Sequence, residues 1–223
     1  MSPTFSTVIQ TVMFGLDPQA IADRVKAAGQ PVRVPSLGES TLRGVIGFAV
    51  VSLLGFLPWV VAGGWLGKNV GEIGLYATCL VAFLGSSGPF LHRLIIGPGS
   101  LKRFYQVFSL AFSIYAVVWT VAYMTLRGKL GGVVGALVGM MAMGGTFASA
   151  FGVQSRMFQM IAALFVSNLA GYFIGELAHN ATTGTLAKAA WGVCYGLGFG
   201  AGIGFAFYLC QSEARRLIAA QRQ

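Results

Sequence analysis

The chain has 223 residues, of which 56% are hydrophobic and only 9% charged, and its formal net charge is +9. A soluble domain carries about 25% charged residues, so most of this chain cannot face water. The basic excess is therefore read first as a topology signal and not as a nucleic-acid footprint, and no nucleic-acid partner is expected.

The first 43 residues form an arm. Phe5, Val8, Ile9, Val12, Met13 and Leu16 recur at helical spacing, with Ser6, Thr7, Gln10 and Thr11 opposite, which predicts an amphipathic helix over about 4–16. Asp17 and Pro18 then supply an N-cap and a first helical position, and Gly29 supplies a stop, predicting a second short helix over about 18–28. Residues 1–16 contain no Lys or Arg, unlike a cationic surface binder. The arm is expected to dock at the interface, on the protein's own helices or on a partner, with 31–38 as an extended linker.

Six stretches contain no Asp, Glu, Lys or Arg: 44–67, 73–91, 104–126, 130–155, 157–175 and 189–212. Each approaches or exceeds the ~20 residues that cross a hydrocarbon core. The ~10-residue alternation of a membrane barrel is missing, so helices are the spanning element. The expected fold is an all-α, six-helix transmembrane bundle over 44–212, with a basic tail at 213–223. The first apolar stretch starts too late and runs too long for a cleavable signal peptide.

With six spans, the N-terminal arm, the second and fourth connections and the C-terminal tail share one side. That side holds eleven of the Lys and Arg residues, and the other holds four: Lys68, Arg127, Lys129 and Lys188. Positive-inside bias then puts both termini in the cytoplasm, in a cytoplasmic (inner) membrane whose anionic headgroups are a partner.

All seven prolines fall at or before residue 98, two of them, Pro58 and Pro89, inside spans. The second half instead carries small residues four apart: Gly131, Gly135 and Gly139, then Ser167, Gly171 and Gly175, then Gly192, Gly196, Gly200 and Gly204. Such faces let helix backbones approach closely. They are expected to pack spans four, five and six into one unit, with the first half against it and with self-association or protein partners beyond.

Two polar clusters occupy matching positions in the halves, Ser86 and Ser87 in the second span and Ser167 and Asn168 in the fifth. An inverted-repeat transporter would bind a solute there; helix-to-helix or backbone hydrogen bonding would need the same residues. The loop after the second span places His92 and Arg93 before, and Lys102 and Arg103 after, Gly97-Pro98-Gly99-Ser100. With Arg215 and Arg216 these form a candidate contact for lipid headgroups or another anion.

Catalytic chemistry is scarce. His92 and His179 fall on opposite sides, so they cannot share a haem or metal. Glu176 and His179 could pair on one helix face. Cys79, Cys194 and Cys210 form no ligand-like spacing, and no GxSxG, HExxH or P-loop occurs. No catalytic residue, metal or cofactor is therefore expected. Asn180-Ala181-Thr182 matches a glycosylation sequon but is a short pattern. Three roles follow: a structural or accessory subunit of a membrane complex, expected first; a channel or facilitator for a small neutral solute; and an enzyme on lipid headgroups.

Overall fold

The computed structural model describes residues 14–221. The helix expected over 4–16 therefore lies almost wholly outside the described residues, although Leu16, the last residue of its pattern, is buried in the core. Helix α1 spans Pro18–Ala27; the Asp17 carboxylate accepts from the Ala20 amide at 2.9 Å, and Gly29 takes φ +62° beyond the end. Ile21, Ala22 and Val25 are its buried face.

Among the described residues six helices are long and apolar enough to cross a membrane, and there is no strand. These helices make the chain an integral membrane protein. They are α2 (Leu37–Asn69), α3 (Gly71–Leu91), α4 (Ser100–Leu126), α5 (Gly128–Phe151), α6 (Met157–Asn180) and α7 (Gly184–Cys210). Short 3-10 turns follow α3 (His92–Leu94) and precede α6 (Gln154–Arg156).

The elements depart from the charge-free windows for local reasons. Helix α2 starts at Leu37, not at 44, because Ser36 and Glu39 form a capping box: Glu39 N–H donates to Ser36 Oγ at 3.2 Å and Ser36 N–H to Glu39 Oε2 at 3.1 Å. Charge in a first turn extends a span, since an acid there meets the positive end of the helix dipole. Pro58 and Pro89 lie inside continuous helices. The C-terminal stretch expected as a tail begins with a further helix, α8 (Ser212–Ala220), which packs on α1 through a face containing the buried Ala214 and Ile218.

The spans form a closed ring in the order α3, α2, α7, α6, α5, α4 and back to α3. At one end three short connections, at Val70, Arg127 and 181–183, join α2 to α3, α4 to α5 and α6 to α7. We refer to it as the turn end. At the other, the terminal end, α1, α8 and the loop after α3 meet. Gln211 fastens them: its Nε2 donates to Leu94 O at 2.8 Å and Phe207 O at 2.9 Å, while Oε1 accepts from Ile96 N–H at 2.8 Å.

Glycines set the closest contacts. A Cβ built on Gly196 would stand 2.8 Å from Ala49 Cα, one on Gly200 2.8 Å from Gly44 C, and one on Gly204 2.8 Å from Thr41 Cα. Gly192 meets the Phe56 ring at 3.3 Å. This ladder thus faces α2 and not α5. A second glycine set of α7, Gly198 and Gly202, faces α6, where a Cβ on Gly171 would approach Tyr195 O to 2.8 Å and one on Gly175 would approach Trp191 O to 3.0 Å. Gly131 and Gly135 lie equally close, at 3.0 Å, to the α4 backbone, and Gly139 is 3.3 Å from Tyr115 O. The expected unit of spans four, five and six therefore forms only in part: five and six pack through their small faces, while span four turns its glycines to α4. The departure arises because α7 carries small residues on two faces, and small faces need not match small faces: Tyr115, Trp119 and Tyr123 lie over the glycines of α5.

Candidate functional site

The aromatic residues divide the interior of the ring in two. Toward the terminal end, phenylalanines fill it. Phe104, Phe108 and Phe112 stack along α4 with centroids 4.9 and 5.3 Å apart, Phe48 meets Phe199 at 4.7 Å, and Phe147 meets Phe207 at 5.0 Å. The rings of this plug are all buried.

Toward the turn end the same α4 stripe continues as Tyr115, Trp119 and Tyr123, and the interior opens. A cavity of about 490 Å³ lies there, lined by residues of all six spanning helices. That volume is in the range of small-molecule sites, about 300–1,000 Å³. Half of its twenty-two lining residues are aromatic, including three of the four tryptophans and five of the seven tyrosines. Phe56 and Trp59 enter from α2, Tyr76 and Phe83 from α3, Tyr172 from α6, and Trp191 and Tyr195 from α7.

The rings brace one another. Trp191 stacks on Tyr195 at 5.2 Å and 5°, Trp119 on Tyr123 at 5.0 Å and 8°, and Phe56 stands edge-on to Phe83 at 4.8 Å and to Trp191 at 5.1 Å. Edge-to-face and offset contacts of this kind add about 0.5–1.5 kcal/mol beyond area. The walls are therefore a connected framework, able to hold shape with the interior empty of side chains.

Polar groups occur at two levels. Near the rim, Glu72 accepts from the Tyr76 hydroxyl at 2.8 Å and pairs with Arg127 at 3.5 Å, its side chain 40% exposed. Close by, Lys188 Nζ sits 5.2 Å over the Trp59 ring. Lys129 pairs with Glu176 at 3.3 Å at the same end. Glu176 thus pairs across helices, and the contemplated Glu176–His179 pair does not form; His179 Nδ1 has no partner among the described residues. At the floor, Tyr115 and Tyr195 bring their hydroxyls to 3.1 Å and Asn168 is buried beside them, with no hydrogen-bond partner for its Oδ1 among the described residues.

The candidate polar residues separate. Asn168 lines the cavity. Ser86 Oγ donates to Ala82 O at 2.8 Å, Ser87 Oγ to Leu84 O at 2.8 Å, and Ser167 Oγ to Ala163 O at 2.6 Å, so all three bond within their own helices. None of the three lines the cavity; Ser167 lies instead against Gly202 at the α6–α7 contact. The aromatic walls were missed in the sequence, yet they leave a signal there. Phe104, Phe108, Phe112, Tyr115, Trp119 and Tyr123 recur at steps of four, four, three, four and four, and the stripe changes from phenylalanine to Tyr and Trp where the cavity begins.

The basic residues of the terminal end mostly turn to backbone. His92 Nδ1 is 2.9 Å from Gly88 O, and Arg103 Nη1 donates to Pro98 O at 3.0 Å and Gly99 O at 3.2 Å. Arg93 offers only its carbonyl, to Arg43 at 3.3 Å. Arg215 donates to Tyr208 O at 2.6 Å and covers the Tyr208 ring, while Arg216 pairs with Glu213 at 3.3 Å. Lys102 is exposed. Burial disfavours the charged form of Arg215. Burial, then the nearby Arg103, push the Arg24 guanidinium down to about 10 against the pull of Asp17.

Among the described residues no three His, Cys, Asp or Glu side chains gather as metal ligands. Comparison of the chain with protein-family models, with curated proteins and with solved structures returns no match.

Proposed function

We propose that this integral membrane protein takes up a small, mainly apolar molecule into the aromatic cavity, as a binding protein or as one state of a facilitator. The supporting observation is the cavity itself: an aromatic-walled space of about 490 Å³ whose lining extends to Glu72 and Tyr123 near the turn end, with the phenylalanine plug on its terminal side. A structural or accessory subunit has no need of such a space, and packing that left it empty would forfeit dispersion contacts. Binding, without covalent chemistry, suits walls made of rings, hydroxyls and one amide.

The distribution of eleven Lys and Arg against four supports a cytoplasmic terminal end, so that the cavity opens to the opposite side. Lys102 and its basic neighbours then lie at the level of anionic headgroups, a contact that orients the protein and does not catalyse.

The test uses full-length protein in lipid nanodiscs and p-xylene as the probe. Trp59, Trp119 and Trp191 line the cavity, so occupancy should give a saturable change in tryptophan emission. Gly132→Leu is the companion variant. A Cβ there meets only the Tyr172 ring and hydroxyl, at 3.7–3.9 Å, so the larger side chain enters the cavity without striking backbone. Affinity should fall about tenfold or more while the unfolding midpoint stays unchanged. A linear, non-saturating response indistinguishable between the two proteins, as for partition into lipid, would refute the proposal.

A further inference from the structure

The cavity floor points to what its ligand carries. Tyr115, Tyr195 and Asn168 come from three different helices, α4, α7 and α6, and meet where the phenylalanine plug begins. Asn168 is 2% exposed and both tyrosines are 6% exposed, so bulk water does not solvate them. The ring contacts around them are apolar: Tyr115 and Tyr195 each pack on Phe199, at 5.6 and 5.7 Å.

The hydrogen-bond account of this group does not close. The two hydroxyls share one bond at 3.1 Å. Asn168 lines the cavity beside them, and its Oδ1 has no hydrogen-bond partner among the described residues. Two phenols and a primary amide hold four donor hydrogens and at least three acceptor oxygens. The one internal bond, between the hydroxyls, uses one donor and one acceptor. Whichever way the amide is turned, Asn168 keeps a buried atom without a partner among the described residues, and the amide together with the hydroxyl hydrogen not used between the tyrosines offers a ligand both donor and acceptor. A buried polar group left unpaired costs about 1–3 kcal/mol, so such a cluster at the base of a cavity is positioned for a partner that supplies both functions.

We infer that the ligand is an apolar, ring-sized molecule whose one polar end both donates and accepts, a phenol or alcohol hydroxyl, bound head-down on Asn168, Tyr115 and Tyr195. This rests on the cavity reading above and adds the ligand's chemical class. The aromatic walls take the apolar body, and the floor takes the hydroxyl. A quaternary ammonium or an ether lacks the donor, and a pure hydrocarbon lacks both functions.

p-Cresol and p-xylene provide the test, because they differ only by hydroxyl for methyl. Binding of each to full-length protein in nanodiscs is read by tryptophan emission, in wild type and in Asn168→Leu, Tyr115→Phe and Tyr195→Phe. The inference expects Asn168→Leu to weaken p-cresol about tenfold and each tyrosine variant to weaken it severalfold, with p-xylene changed less than about twofold in all three. Retained p-xylene binding also shows that a variant is folded. If p-cresol and p-xylene shift together in every variant, the head-down hydroxyl is wrong although the cavity stands. If neither probe saturates in wild type, the cavity reading itself fails.

Discussion

Replacing Gly200 by alanine adds one carbon where α2 and α7 touch. That carbon would lie 2.8 Å from Gly44 C and 2.8 Å from Phe48 Cβ. Carbon atoms sit about 3.5–4.0 Å apart at optimal contact, so the helices must separate by about 1 Å. Neither neighbour is the free end of a flexible side chain, so relief has to come from the backbone. Separation also stretches the two hydrogen bonds that cross the contact, Ser40 Oγ to Gly204 O at 2.9 Å and Ser52 Oγ to Gly192 O at 2.6 Å. Overpacking costs about 1–3 kcal/mol, and an interhelical bond in a membrane contributes about 0.6 kcal/mol. Alanine recovers up to about 1 kcal/mol of helix propensity. The net expectation is a loss of about 1–3 kcal/mol. Gly145→Ala is the control, because a Cβ there meets nothing within 4 Å; it should be neutral or stabilising. Reversible unfolding in mixed micelles separates the two. Equal midpoints for Gly200→Ala and Gly145→Ala would refute the close-contact account of α2 and α7.

Gln211→Ala should cost about 2–4 kcal/mol in the same assay, since it strands Ile96 N–H and Leu94 C=O in a buried site; hydrogen exchange at Ile96 should rise with it. Ser36→Ala removes one half of the capping box and should cost about 1 kcal/mol, read as faster exchange in the first turn of α2 with the rest of that helix unchanged. Lys129→Met removes one partner of an exposed ion pair with Glu176 and should change unfolding by less than about 1 kcal/mol at any salt concentration.

The spans were legible because exclusion of charge from hydrocarbon writes itself directly into composition, and their ends were not, because an end is decided by capping. Glu39 and Arg43 fall in the expected N-terminal arm and lie instead in the first two turns of α2. Partners of helices were less legible still. Glycine spacing shows that a face permits close approach without showing what approaches, and α7 offers two such faces. The polar site was sought among Ser86, Ser87, Ser167 and Asn168; a short hydroxyl side chain in a helix reaches a carbonyl of its own preceding turn and is satisfied there, as all three serines are. Asn168 does not, and it lines the cavity together with the tyrosines of two other helices. The α4 aromatic stripe was on the page throughout, but periodic aromatic residues read equally as core, and only the ring arrangement shows half of the stripe facing empty space.

Thiol accessibility in intact cells tests the central claim most directly. Ala116 lines the cavity from α4. In a background with Cys79, Cys194 and Cys210 replaced by alanine, Ala116→Cys should react with a membrane-impermeant thiol reagent added outside, and saturating p-cresol should protect it. Reaction only after permeabilisation, or reaction that p-cresol leaves unchanged, would contradict a ligand cavity open to the side opposite the termini.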